Sequence, residues 1–175
     1  MEAIRLIELG ARASLVRQLT GLEKKVVNRL YRQLVGSASP SGQMPFTDAW
    51  YVKDERLMLH ASVIWKLYQQ IIRHHYSPAR TLIDVYQAYC GLVDTPLINI
   101  MRTYFVKSLV TIKLWHERDC RHCTTRYLAP VDYLGLVCYG CVLYFGHRCR
   151  HCGEAVKVQG RGRPLKRCDV CQHVR

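Results

Sequence analysis

The sequence predicts a mainly α protein: an N-terminal all-α domain with a helix-turn-helix-like pair, followed by two small tandem four-cysteine zinc ribbons. Three observations carry this prediction. Eight of the nine cysteines fall within residues 120–171 as four C-x-x-C pairs. Before them, apolar residues recur at the spacing of helices. A Gly-containing break near residue 21 separates two such patterns, and the second has a basic face. The expected boundaries are 1–117 for the all-α domain, with the helix-turn-helix-like unit at 11–36, then 118–147 and 148–175 for the ribbons.

Residues 2–35 read as helices. Ile4, Ile7 and Ala11 repeat at helical spacing, and Leu15, Val16 and Leu19 continue the stripe. Thr20-Gly21 interrupts it, because glycine turns the chain at little steric cost. A second helix is expected from Leu22 to about Val35, ended by Gly36. Leu22, Val26, Leu30 and Leu34 would form its buried face, and Lys24, Lys25, Asn28, Arg29 and Arg32 the opposite one. A helix, a short turn and a second basic helix make the pattern whose second helix enters the major groove of double-stranded DNA. There Lys and Arg reach phosphates or guanine, and Asn can pair with adenine. An ordinary helical hairpin with a wet charged face fits the same residues equally well.

The run Ser37-Ala38-Ser39-Pro40-Ser41-Gly42 is a loop by composition. Pro45 and the aromatics of residues 44–51 suggest a packed, non-regular segment. Residues 57–75 carry Leu57, Ala61, Ile64, Leu67, Tyr68, Ile71 and Ile72 on one side, a core-facing helix that ends at His74-His75, where cations offset the helix dipole. Ser77-Pro78 is a cap followed by proline at the first helical position. Thr95-Pro96 repeats that signal, so a last helix is expected from there to about Glu117. Cys90 is expected on a buried helix side.

The cysteine pairs are Cys120/Cys123, Cys138/Cys141, Cys149/Cys152 and Cys168/Cys171. Fourteen residues separate the first two pairs and fifteen the last two. Paired thiolates at such spacing form tetrahedral sites, and four protein ligands leave no position for water or substrate. Cys120-Arg121-His122-Cys123 recurs as Cys149-Arg150-His151-Cys152. The repeat favours sequential pairing with two Zn2+ per chain; a cross-braced arrangement is the alternative that spacing leaves open. Closed four-thiolate ribbons usually take zinc, although spacing alone does not separate zinc from iron. His122 and His151, between ligands, are expected to be exposed and not ligands. No secretory signal precedes the cysteines, so free thiolates in a reducing cytoplasm are expected in place of disulfides.

Within the second ribbon, Gly160-Arg161-Gly162-Arg163-Pro164 precedes Lys166 and Arg167. Its core resembles the AT-hook, in which Arg161 and Arg163 would enter the minor groove of A·T-rich DNA on either side of a small glycine. A basic hairpin tip is the other reading. The formal net charge of +13 favours a polyanionic partner. Each zinc with four thiolates adds −2, which would leave +9. Residues 118–175 hold 11 Lys and Arg against 4 Asp and Glu, and residues 1–117 hold 15 against 9. No run is long and apolar enough to cross a membrane. There is no Ser/His/Asp set, carboxylate pair, phosphate-cradling Gly loop or open metal site, so an enzyme is not expected.

Several stretches resemble the FlhC family, the larger subunit of the FlhD–FlhC master activator of bacterial flagellar genes. They are residues 3–12 (AIRLIELGAR), 30–36 (LYRQLVG), 40–50 (PSGQMPFTDAW), His60-Ala61-Ser62, and the quartet Cys120, Cys123, Cys138 and Cys141. They run in family order across roughly residues 3–141. The resemblance implies a cytoplasmic transcriptional activator subunit that forms a hetero-oligomer with an FlhD-like helical protein. It would bind DNA upstream of flagellar operons and contact RNA polymerase. The family's single zinc maps onto the first quartet. The departure begins after Cys141, where typical members have a metal-free basic tail and this chain has a second ribbon, which puts the set of target genes in doubt. A zinc-ribbon adaptor that bridges a partner regulator to RNA polymerase, without reading DNA itself, is the alternative function.

Overall fold

The structure is a computed structural model that describes residues 1–74, 76–146, 148–149, 151–156 and 167–171. His75, Arg161, Arg163, Lys166 and the Gly-Arg-Gly-Arg-Pro finger therefore lie outside the described residues.

The first helix, α1 (Glu2–Glu8), buries Ala3, Leu6 and Ile7. The helix stops short of Ala11, which is nonetheless buried, whereas Ile4 of the expected stripe is exposed. Gly10 takes a left-handed φ of 86°, its N–H bonds to Ile7 O at 2.9 Å, and Ala11 N–H bonds to Leu6 O at 2.9 Å. That pair of bonds closes a helix C-terminus. Helix α2 (Ala13–Thr20) follows, with Gly21 in a left-handed cap, and then α3 (Lys24–Val35), which Gly36 ends in the same way.

The buried face of α3 differs from the expected one. Val27 and Tyr31 are buried, whereas Leu22 and Leu34 are exposed. Tyr31 supplies the reason: its ring packs into the core and its hydroxyl donates to Ala11 O in the α1–α2 turn. A large ring with a polar tip that finds a partner is a stronger anchor than a leucine stripe one position round the helix.

Residues 37–48 make no regular element, but the stretch expected to be wholly irregular contains one helical turn, α4 (Ala49–Val52), which buries Tyr51 completely. Helix α5 (Glu55–Ile71) begins where Asp54 accepts Arg56 N–H at 2.8 Å. It buries Leu57, Ala61, Ile64 and Tyr68 as expected, and Ile72 falls in an exposed 3-10 turn, Ile72–His74. Helix α6 (Pro78–Leu92) starts as predicted, with Ser77 Oγ accepting Arg80 N–H at 3.0 Å.

Thr95-Pro96 does not open the next helix. Leu97 and Ile98 donate their N–H groups to the Tyr89 hydroxyl at 2.9 and 3.2 Å, which holds that stretch out of a helix. Helix α7 (Ile100–Thr111) starts instead at Asn99, whose side chain accepts Arg102 N–H at 3.0 Å. It also stops short of Glu117. Lys113 adopts a left-handed φ of 60°, and Leu114 N–H closes onto Leu109 O at 3.0 Å. The chain then enters β1 (Trp115–Asp119), antiparallel to β2 (Arg126–Pro130), with Glu117 opposite Leu128. A last helix, α8 (Tyr139–Phe145), follows Cys138.

One buried cluster joins α1–α7 to β1, β2, Cys120, Cys138, Tyr139 and Cys141. Helix α5 is its axis, in contact with α4, α6, α7, β2 and α8. Ser62 ties the strand pair to that axis: its Oγ accepts Leu128 N–H at 3.1 Å and donates to Met58 O at 3.0 Å. Trp115 is fully buried, with its indole N–H on Asp48 Oδ2 at 2.8 Å.

Candidate metal centres and nucleic-acid interface

Each quartet is assembled by local knuckles. In the first, Cys120 N–H bonds to Thr125 O at 3.0 Å and Thr124 N–H returns to Cys120 O at 2.9 Å. This tight turn lets the amides of His122 and Cys123 face Cys120 Sγ at 3.4 and 3.5 Å. The second pair arrives on the first turn of α8, where Cys138 Sγ caps the helix through Cys141 N–H at 3.4 Å. Cys138 N–H adds a third donor to Cys120 Sγ at 3.2 Å. The second quartet repeats the device: Cys149 N–H bonds to Glu154 O at 2.8 Å, and His151 N–H faces Cys149 Sγ at 3.4 Å.

The sulfurs converge in sequence order, Cys120 with Cys123, Cys138 and Cys141, and Cys149 with Cys152, Cys168 and Cys171, all within 4.8 Å of one another in each group. Cross-bracing is thereby excluded. Cys120 and Cys141 Sγ are 3.9 Å apart, Cys123 and Cys138 3.7 Å, and Cys152 and Cys168 3.5 Å. A tetrahedron with Zn–S bonds of 2.3 Å has edges of about 3.8 Å. These separations are those of thiolates round one ion and exclude S–S bonds, so the two quartets fit two zinc ions per chain.

The electrostatics agree. Burial pushes the Cys120 thiol up, but the amides of Cys138, Cys123 and His122 outweigh it and bring it to about 6. The Cys152 amide leads a similar set that brings Cys149 to about 6. Burial, then neighbouring sulfurs, push Cys141 far up, and Cys171 is raised to about 12 by Cys152 and by burial. Each quartet thus holds at least one ready thiolate and a partner that resists ionising beside it; in the first, hydrogen bonds from Thr125 also lower Cys123. A divalent cation removes that conflict. A filled site offers structure and no open position for chemistry.

His122 and His151 are exposed, as expected; the His122 ring packs on Phe145 with centroids 4.4 Å apart and the planes tilted by 45°. Sequence reasoning missed the backbone amides that tune the sulfurs. It also missed Arg118, which donates to the carbonyls of Tyr133 and, at 3.4 Å, Gly135, and so fastens the loop leading to Cys138. The knuckle spacing itself implies the amides, whereas Arg118 left no signal.

Of the residues expected at DNA, Lys24, Lys25, Arg29 and Arg32 stand exposed on α3, and Asn28 is half-buried. Arg167 is exposed beside the second quartet. Gly21, Leu22 and Glu23 link the eight-residue α2 to the twelve-residue α3. No helix among the described residues is long and apolar enough to cross a membrane.

A family model described as Flagellar transcriptional activator (FlhC) matches residues 1–162. The match ends between Cys152 and Cys168, so the second quartet straddles its limit. Among similar proteins, the flagellar transcriptional regulator FlhC of Pectobacterium carotovorum is 27% identical over 133 residues, 73% of this chain and 68% of that protein. That of Xenorhabdus nematophila is 27% identical over 128 residues, 69% of this chain and 66% of that protein. That of Variovorax paradoxus strain S110 is 27% identical over 168 residues, 92% of this chain and 79% of that protein. The chain therefore belongs to the FlhC family of flagellar transcriptional activators, a family of regulators and not of enzymes.

Proposed function

We propose that this protein is a DNA-binding activator subunit that acts in the cytoplasm with an FlhD-like helical partner and RNA polymerase to switch on flagellar or related operons. The observation that carries the reading is the α2–Gly21–α3 unit, whose second helix presents Lys24, Lys25, Arg29 and Arg32 to solvent. A three-residue, glycine-led link between a short helix and a basic one is compatible with the helix-turn-helix arrangement, whose second helix lies in a major groove. Asn28 is the base-reading candidate at its flank. Arg161, Arg163, Lys166 and Arg167 would add phosphate or minor-groove contacts from the second ribbon.

The test is a gel shift of promoter DNA by the chain with its partner, across a salt series. Lys25→Ala with Arg29→Ala should weaken binding and flatten the log–log salt slope by about 1.8, roughly 0.9 per lost phosphate contact. Unchanged affinity and slope would end the assignment of α3. Arg161→Ala with Arg163→Ala should weaken A·T-rich sites more than G·C-rich ones; equal effects would remove the minor-groove role.

The adaptor reading has one observation of its own. The loop between β2 and α8 exposes Val131, Leu136 and, at 92%, Leu134, an apolar tip suited to protein contact. Shifts run with and without the partner separate the two readings, since an adaptor adds no DNA contact of its own.

A further inference from the structure

We propose that the cleft between the loop at residues 40–47 and the first turn of α7 docks an extended segment of a partner protein in which an acidic residue neighbours an apolar side chain. The cleft measures about 430 Å³, and its lining holds two guanidinium groups, Arg12 and Arg102, and no carboxylate. Both cations are fixed by neutral partners. Arg12 donates to Gln43 O at 2.9 Å, and Arg102 lies 3.9 Å over the Trp50 ring. Among the described residues neither belongs to an ion pair. Two like charges held at one opening repel each other, and an incoming carboxylate relieves both while meeting donors already in place. Because a carbonyl and a ring do the anchoring, no internal ion pair has to break when the ligand arrives.

The rest of the wall decides the class of anion. Met44, Phe46 and Met101 line the same cleft, and Phe46 is 69% exposed. A nucleic-acid phosphate would satisfy the guanidinium groups and leave this apolar wall in water, whereas a peptide that alternates acidic and apolar side chains covers both. The loop is also fixed before binding. Ser39 Oγ accepts Ala13 N–H at 3.0 Å, and Gly42 sits at φ +126° where an added Cβ would come 2.9 Å from Arg12 Nη1. None of these residues lies on α3, so the inference is independent of how that helix meets DNA.

The test uses fluorescence anisotropy on the zinc-loaded full chain with two labelled peptides of equal length. One alternates Asp with Leu and Phe; the other has Lys in place of Asp. A basic protein attracts any acidic peptide weakly, so the decisive comparison is with Phe46→Ser, a rim substitution that leaves charge and core intact, alongside Arg102→Gln. The acidic peptide should bind saturably and the lysine peptide at least about tenfold more weakly, with each variant costing about tenfold. Equal binding of the two peptides, or wild-type affinity in Phe46→Ser, would overturn the proposal. It would equally be overturned by a labelled DNA duplex that loses tenfold in Phe46→Ser while the acidic peptide fails to bind, which would make the cleft a nucleic-acid surface.

Discussion

His60 links protonation to the packing of α5 on α6. The Tyr89 hydroxyl accepts two backbone N–H groups, from Leu97 and Ile98, so its single proton points to His60 Nδ1 at 2.6 Å. A protonated imidazole cannot accept that bond. Burial lowers the His60 pKa from the ordinary 6.5, against a smaller upward pull from Asp54. As pH falls below that ordinary value, the unfolded chain therefore takes up a proton that the folded one refuses. This contribution to stability is complete above about 6.5 and is lost as pH drops through the lowered folded value. Urea midpoints of the wild type and His60→Gln, compared from about pH 7.5 to 5.5, should diverge, with the variant less sensitive to acid; parallel curves would show that the pair carries no linkage. The metal ligands make a second test at this scale. Cys141→Ser and Cys168→Ser should each reduce the zinc content from two ions to one, read by native mass spectrometry. A variant that retains two would have its sulfur misassigned. The two sulfur quartets were legible in the sequence because a knuckle is a local object: spacing alone brings two sulfurs together. Tyr31 was not legible, since its role depends on a carbonyl twenty residues away.

Helix ends show where a sequence announces itself and where it does not. Gly21 and Gly36 end α2 and α3 at φ near 71° and 73°, and both were readable because glycine marks the left-handed position. Lys113 closes α7 with the same pair of backbone bonds that Gly10 supplies to α1, but no glycine marks it. The apolar periodicity therefore extends the expected helix to Glu117, across what is in fact β1. This difference predicts opposite signs. Gly21→Ala places a Cβ in open space, so its cost is the backbone's alone, about 1 kcal/mol. Lys113→Gly removes a similar strain and should stabilise, by at most about 1 kcal/mol because the unfolded chain also gains freedom. Chemical denaturation of both variants decides the matter; equal signs would mean that the left-handed cap is not what limits either helix. The exposed Leu22 and Leu34 teach the same lesson about faces. Periodicity finds a stripe, but only the neighbouring helices determine that the Val27–Tyr31 side turns inward.

At the scale of the whole molecule, the two quartets are not equivalent. Cys120, Cys138 and Cys141 belong to the same buried cluster as Leu128 and the inner face of α5, and Ser62 pins β2 to that helix. Cys149 and Cys171 are also buried, yet neither is part of that cluster. Metal in the first site should therefore hold the helical body together, and metal in the second should hold only its own knuckles. Closed four-thiolate zinc sites contribute on the order of 10 kcal/mol to the fold around them. If only about 3 kcal/mol of this reaches the shared core, losing it should lower Tm by roughly 6–12 °C for a chain of this size. Cys138→Ser should accordingly lower the main helical melting transition, followed by circular dichroism at 222 nm, and should red-shift the summed tryptophan emission as the buried Trp115 ring becomes wet. Cys168→Ser should leave the main transition where it is and abolish only metal binding at the second site. If both variants melt like the wild type, the first ribbon is an appendage. If both melt early, the second ribbon packs on the body as well, and the shared core is larger than the cluster centred on α5.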